Sequence, residues 1–378
     1  MRIAIWVTLW TGVLLGFDQN GGGMGGFEPG AYQRESFFPT AFNQTRHLDT
    51  CFGESSEVYW RVKTTGFIFA APVLDSAGNI YIGNADGYFL SFTPKGQERW
   101  RAKTAGQVRG EAVIHRDDRV IVGGGSVLYA WDLNGTLLWK HHARGRFNGA
   151  PAIDSQGRIY AAAQDGHLYA LTSDGELLWQ ARVQTPLRAP AVIRADGTIL
   201  LAGENGWLYA LDQSGNLLWE REVGGQMDTA PLIDKEGRIY VGTKDWSIYG
   251  LDQSGHKRWE HETGWYVTES PAFGATGEVL IGSWDWSFYA LEQNGSLRWE
   301  AEVESYISYV TTSALSDRCG HVLFAARNGK LYLHESTGKR LWSLKLGNSI
   351  YASPGANREG VIYIGTLEGA LYAIGPKR

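Results

Sequence analysis

Tryptophan recurs in this chain with a period that few folds can accommodate. Trp100, Trp139, Trp179, Trp219, Trp259, Trp299 and Trp342 are spaced by 39, 40, 40, 40, 40 and 43 residues. Each closes a unit like that of residues 150–179, APAIDSQGRIYAAAQDGHLYALTSDGELLW. Three short runs of apolar, aromatic and β-branched residues, Pro151 to Asp154, Arg158 to Ala163 and His167 to Leu171, are separated by Ser-Gln-Gly and Gln-Asp-Gly. A fourth run follows Ser-Asp-Gly and ends on Trp179. Asp-Gly between alternating runs signals a tight hairpin, because glycine accepts the positive φ such a turn demands. The unit is therefore expected to be a meander of four antiparallel strands, A to D. A four-strand repeat of about 40 residues marks a β-propeller, in which each blade packs its face on the next.

The third strand counts the blades. It recurs as Tyr129-Ala130, Tyr169-Ala170-Leu171, Tyr209-Ala210-Leu211, Tyr249-Gly250-Leu251, Tyr289-Ala290-Leu291, Tyr332-Leu333 and Tyr372-Ala373-Ile374, with Leu90-Ser91-Phe92 as a degenerate first copy. The expected fold is an all-β, eight-bladed propeller of four-stranded antiparallel blades. Strands A to C occur eight times, but the chain stops before an eighth D strand. Upstream of the first repeat, Glu57-Val58-Tyr59-Trp60-Arg61-Val62 reads as an unattached D strand, with Trp60 lying 40 residues before Trp100. This N-terminal strand is expected to complete blade eight and close the ring without an open seam.

The ring accounts for residues 57–378 and leaves no room for a second folded domain. With 378 residues, 49 glycines and a formal net charge of −5, the composition suits an all-β chain that turns about every ten residues. Mild acidity and the lack of a Lys/Arg run argue against a nucleic-acid partner. Residues 1–17, MRIAIWVTLWTGVLLGF, set one arginine before a short apolar run and read as a secretory signal, with an uncleaved N-terminal anchor as the rival. The chain is thus expected to be exported, to the periplasm or the envelope, with membrane association at most through this segment. Residues 18–56, with Gly21-Gly22-Gly23-Met24-Gly25-Gly26, read as a flexible tether.

Cys51 and Cys319 are the two cysteines, too few for a disulfide scaffold or a four-cysteine metal site. Strand alternation puts the A–B and C–D turns on one face of the ring, and the B–C turns and D–A loops on the other. Cys319 falls in the A–B turn of blade seven, and Cys51 precedes a D strand that starts on the same face. A disulfide and two unpaired thiols both fit this placement.

The phrases Ala-Pro, Gly-x-Ile-Tyr-x-Gly, Asp-Gly-x-Leu-Tyr-Ala-Leu and Gly-x-Leu-x-Trp resemble the PQQ-like propeller repeats of quinoprotein dehydrogenases. They also resemble those of the non-catalytic propeller lipoprotein of the outer-membrane β-barrel assembly machine. The resemblance spans nearly all the repeats and implies the propeller, with each tryptophan docked between blades. It carries less about function, since one architecture hosts many activities. The dehydrogenase branch would imply PQQ and calcium beside vicinal cysteines, which this sequence lacks. The lipoprotein branch would imply a protein partner in an envelope complex, although no cysteine near the N-terminus is placed to accept a lipid.

Two residue sets are candidates for a site. Aligning the D–A loops on the Ala-Pro or Ser-Pro phrase puts Arg109, Asn148, Arg188, Asp228 and Glu269 at the funnel mouth. They would serve there as a polar binding ring, as acid and base, or as a solvated rim. The second set follows from the B–C turns, which end in Gly87, Gly166, Gly206, Gly329 and Gly369 in five blades but in Trp246 and Trp286 in blades five and six. If the turn is kept, each indole sits where a Cβ costs about 1–2 kcal/mol, and such a broken local rule points to function. Trp284, Trp265, Tyr266, Tyr306 and Tyr309 fall on the same face. The seven rings would form a surface for a protein or glycan partner, or would cover one another as a plug. The expected function is a non-catalytic binding or assembly platform of the envelope that needs no cofactor. The alternative is a quinoprotein-like enzyme using the central funnel.

Overall fold

The computed structural model describes residues 47–116, 118–304 and 308–377. Every regular element among them is a strand, and the strands form eight antiparallel sheets arranged as blades. Blade three shows the pattern: Ala152–Ile153, Ile159–Ala162, His167–Leu171 and Leu177–Arg182 pair in sequence order. Strands A to C are buried apart from the half-buried His167, whereas D runs through exposed and half-buried residues, as an outer strand should. Each D strand starts with a register shift against C, so that in blade three Leu177 opposes Leu171 and Trp179 opposes Ala170. The added twist of this bulge blunts the exposed outer edge.

The indoles hold neighbouring blades together. Trp60, Trp100, Trp139, Trp179 and Trp259 each donate their ring N–H to a C–D turn carbonyl of the following blade, at Pro94, Leu133, Ser173, Gln213 and Gln293, over 2.9–3.0 Å. The turn glycine that follows lies flat under the ring. A Cβ on Gly175, whose φ is 82°, would stand 2.5 Å from Trp139. One glycine therefore meets two demands, a left-handed turn and contact with an indole face.

Ser56–Lys63 pairs antiparallel with Ala370–Pro376, and Trp60 opposes Ala373, so the N-terminal strand completes blade eight. Residues 47–56, expected to lie in the tether of residues 18–56, pack on the ring. His47–Leu48 adds a fifth, parallel strand to the innermost strand of blade seven, Leu315–Asp317. Leu48 and Phe52 are buried, the Phe52 N–H donates to Asp317 at 2.6 Å, and Trp342 donates to the Gly53 carbonyl at 2.9 Å. Gly53 thus supplies the acceptor that a C–D turn supplies elsewhere. Cys51 is bonded to Cys319 with Cα atoms 5.5 Å apart, fixing this clip to the A–B turn of blade seven. The signal-like stretch 1–17 and most of the tether lie outside the described residues.

Candidate functional site

The site is built on one repeated contact at the face formed by B–C turns and D–A loops. The second residue of each four-residue B–C turn donates its backbone N–H to a carbonyl in the D–A loop that enters the same blade. Gln164 bonds Arg146, Glu204 bonds Pro186, Lys244 bonds Gln226, Trp284 bonds Tyr266, Arg327 bonds Tyr309 and Leu367 bonds Ser349, at 2.9–3.3 Å. Main-chain atoms make the contact, so the side chains at both positions are free to vary around the mouth.

Across blades two to five the mouth is polar. Arg109, Asn148, Arg188 and Asp228 occupy equivalent positions in successive D–A loops, just ahead of the inner strands. Asp228, buried, forms an ion pair with Lys244 Nζ at 2.5 Å and accepts a hydrogen bond from the Gln226 amide at 3.1 Å. Arg188 forms an ion pair with Glu204. Burial lowers the Arg188 pKa, against the opposing pull of Asp228. The polar set is therefore largely self-paired in blades four and five. Glu269 is displaced from it: sheet register matches Leu232–Ile233 with Ala272–Phe273, which makes Thr268 the counterpart of Asp228 and puts Glu269 one residue further on, buried.

Across blades six and seven the mouth is aromatic. Trp265 meets Tyr266 edge-on with centroids 6.2 Å apart, and Tyr266 meets Trp284 edge-on at 5.7 Å. Trp284 stacks on Tyr309 at 4.8 Å and 15°, and the Arg327 guanidinium lies 5.3 Å from the Tyr309 centroid. The Trp284 indole donates to Thr268 Oγ1 at 2.7 Å, which fixes its plane. Behind this row, burial pushes the Tyr351 pKa up to about 12, with Glu269 and Tyr309 adding to the rise and Arg327 opposing it. The row is partly self-covering, yet Trp265 remains 42% exposed at its outer end.

Trp246 and Trp286 keep the turn that glycine makes elsewhere, with φ of 75° and 77°. Their surroundings differ. Trp246 is 52% exposed, while Trp286 is half-buried against the apolar cluster of Phe288, Val310 and Phe324 between blades six and seven. Tyr306 lies outside the described residues. The sequence did not single out Arg146, Glu204, Lys244, Arg327 and Tyr351. For Glu204, Lys244 and Arg327 the signal was present in the residue two places before the turn-ending glycine or tryptophan, which is the second turn position; Arg146 and Tyr351 lie in the D–A loops.

Both cysteines are joined on the opposite face, Asp228 is neutralised by Lys244, and among the described residues no three His, Cys, Asp or Glu side chains are grouped to hold a metal ion.

Among solved structures, BamB from Moraxella catarrhalis superposes with a TM-score of 0.71 at 15% identity, covering 85% of this chain and 100% of that one. A europium-containing methanol dehydrogenase gives 0.75 at 11% identity over 91% and 98%. The computationally designed Ika8 protein gives 0.69 at 17% identity over 83% and 97%. At such identities these likenesses concern the fold. The uncharacterized protein YxaL of Bacillus subtilis (strain 168) is 31% identical over 86 residues, 22% of this chain and 21% of its own length. The family model described as outer membrane protein assembly factor BamB matches residues 85–191 and 172–330. By that match, over more than half its length, the chain belongs to this family of PQQ-like propellers.

Proposed function

We propose that the protein is a non-catalytic assembly platform of the cell envelope that docks a protein partner on the aromatic arc of blades five to seven. The observation that carries this reading is the row Trp265, Tyr266, Trp284 and Tyr309, beside Trp246 held at positive φ with half its surface in solvent. Indoles at a strained turn give no packing in return at position 246, and large rigid rings are the usual anchors of protein interfaces. Membership of the BamB family and the propeller fold shared with Moraxella catarrhalis BamB support a role in an envelope complex.

A photo-crosslinking residue at position 265 tests the proposal in cells of the source organism. It should give one dominant protein adduct in the envelope fraction. The adduct should be lost when Trp246 and Trp284 are both replaced by Ala, and should not form when the crosslinker sits at position 178 on the outer edge of blade three. Equal adducts from positions 265 and 178, or an adduct that survives the double replacement, would place the partner elsewhere.

A further inference from the structure

Between blades five and six, on the face formed by A–B and C–D turns, a cleft of 780 Å³ opens beside Trp259. Tyr240, Leu251 and Trp259 form its apolar wall, and Arg258, Glu292 and Asn294 stand at its rim. Trp259 opposes Gly250, where blades two, three, four, six and eight carry alanine. A Cβ on Gly250 would stand 2.1 Å from the indole Cε2, so only glycine lets the ring lie this close to strand C.

The other repeats show how this place is otherwise used. The residue before the docked tryptophan is Leu138, Leu178, Leu218 and Leu341 in blades two, three, four and seven, and arginine in blades one, five and six. In blade one Arg99 turns inward and donates to the Tyr81 hydroxyl at 3.1 Å and the Ser91 hydroxyl at 3.0 Å. In blade six Arg298 donates to Thr276 Oγ1 at 2.6 Å and lies 3.6 Å from Glu278. Arg258 has neither outlet. Gly250 stands where blade one has its serine, and the Asp234 carboxylate beside Tyr240 is taken by Arg238 Nε at 2.5 Å. Among the described residues Arg258 makes no hydrogen bond or ion pair. The Asn294 carboxamide oxygen accepts from the Ser296 N–H at 3.0 Å and its hydroxyl at 2.7 Å, which leaves the amide NH2 to the cleft. Glu292 lies 3.9 Å from Arg298, beyond hydrogen-bond range.

The guanidiniums of Arg238 and Arg258 line the cleft together with the carboxylates of Glu236 and Glu292, so the lining has no net charge with which to select an ion. Its unengaged groups are donors and an acceptor set beside an apolar wall. We infer that the cleft binds units of an uncharged oligosaccharide. Sugar hydroxyls both donate and accept, so one ring can use the Arg258 guanidinium, the Asn294 amide and the Glu292 carboxylate while its C–H face takes the apolar wall. The volume falls within the range of small-molecule sites, about 300–1,000 Å³. The cleft lies on the face opposite the aromatic arc and does not depend on the partner proposed there.

Calorimetric titration of the purified protein with maltotetraose, and separately with chitotetraose, tests the inference. Binding of maltotetraose assigns the cleft to plain hexoses, and binding of chitotetraose alone assigns it to acetamido sugars. In either case Arg258→Leu should weaken binding about tenfold, the worth of one charged hydrogen bond. It introduces the residue that four other blades carry, so the melting temperature should stay at the parent value. Arg99→Leu, at the filled position of blade one, should leave affinity unchanged. Glu292→Gln, at an exposed position, should weaken binding about threefold and decides the matter if Arg258→Leu melts low. Failure of both sugars to bind would overturn the inference. So would parent-like affinity in a well-folded Arg258→Leu protein, parent-like affinity in Glu292→Gln where Arg258→Leu melts low, or an equal loss in Arg99→Leu.

Discussion

Lys244 and Trp284 occupy the same place in adjacent blades, each with its N–H on a loop carbonyl 2.9 Å away, yet they do opposite things. Lys244 turns its charge onto a buried carboxylate and is consumed by the fold. Trp284 stacks on Tyr309 in a row whose far end is open to solvent. The difference teaches where a repeat protein keeps its freedom. A contact made wholly by main chain holds the rim in shape, so one blade can use a side-chain position for stability and the next can use it for recognition.

The comparison would break first on stability. Lys244→Ala leaves Asp228 buried without its cation and should cost about 3 kcal/mol, while Trp265→Ser should stay within about 0.5 kcal/mol. Urea unfolding of both variants checks this, and equal losses would mean that the two arcs play the same part. Replacing Asp228 and Lys244 together by Asn and Met should recover most of the loss, because a missing pair is cheaper than a broken one.

On binding the order should reverse. Trp284→Ala should weaken partner retention by about 2 kcal/mol, roughly thirtyfold, at a position central to the aromatic row. The Asp228 and Lys244 double replacement should leave retention near the parent value. Purified partner titrated onto immobilised variants gives both numbers.

A smaller effect separates the two unusual turns. Trp246→Gly removes a Cβ at φ 75° from a mostly solvent-facing ring and should raise stability by about 1 kcal/mol. Trp286→Gly relieves the same backbone but empties a packed space beside Phe288 and Phe324, and should lower stability by about 2 kcal/mol. Thermal melts showing the same sign for both would contradict their different burial.

Much of the ring was legible because it is periodic. The Trp60 offset and the count of strands led to the closing strand, and the turn-ending glycines marked every hairpin that Trp246 and Trp286 then violated. Burial of Trp286 was not legible, since it depends on Phe324 from the next blade rather than on its own turn. Glu269 was misplaced by one residue, because a Pro-centred phrase is a looser ruler than sheet register. The strand His47–Leu48 left no pattern to read: two residues have no period, and their partner lies in blade seven. Lys244 was overlooked because one column of the D–A loops was followed where the rim also uses the second position of the B–C turns.

The clip at Cys51 also bears on a state that the folded ring does not show. Its bond to Cys319 spans 268 residues of sequence, so in the denatured chain it would hold six of the eight repeats in one covalent loop. On a chain-entropy view, closing so long a loop removes about 5–6 kcal/mol of disorder from the unfolded ensemble. Six blades and the first strand of the seventh must also be synthesised before Cys319 can meet Cys51, and the strand at Ser56–Lys63 must wait for Ala370–Pro376. The earliest part of the sheet to leave the ribosome is among the last to find its place, which gives this ring a long interval with an unsatisfied edge during its biogenesis.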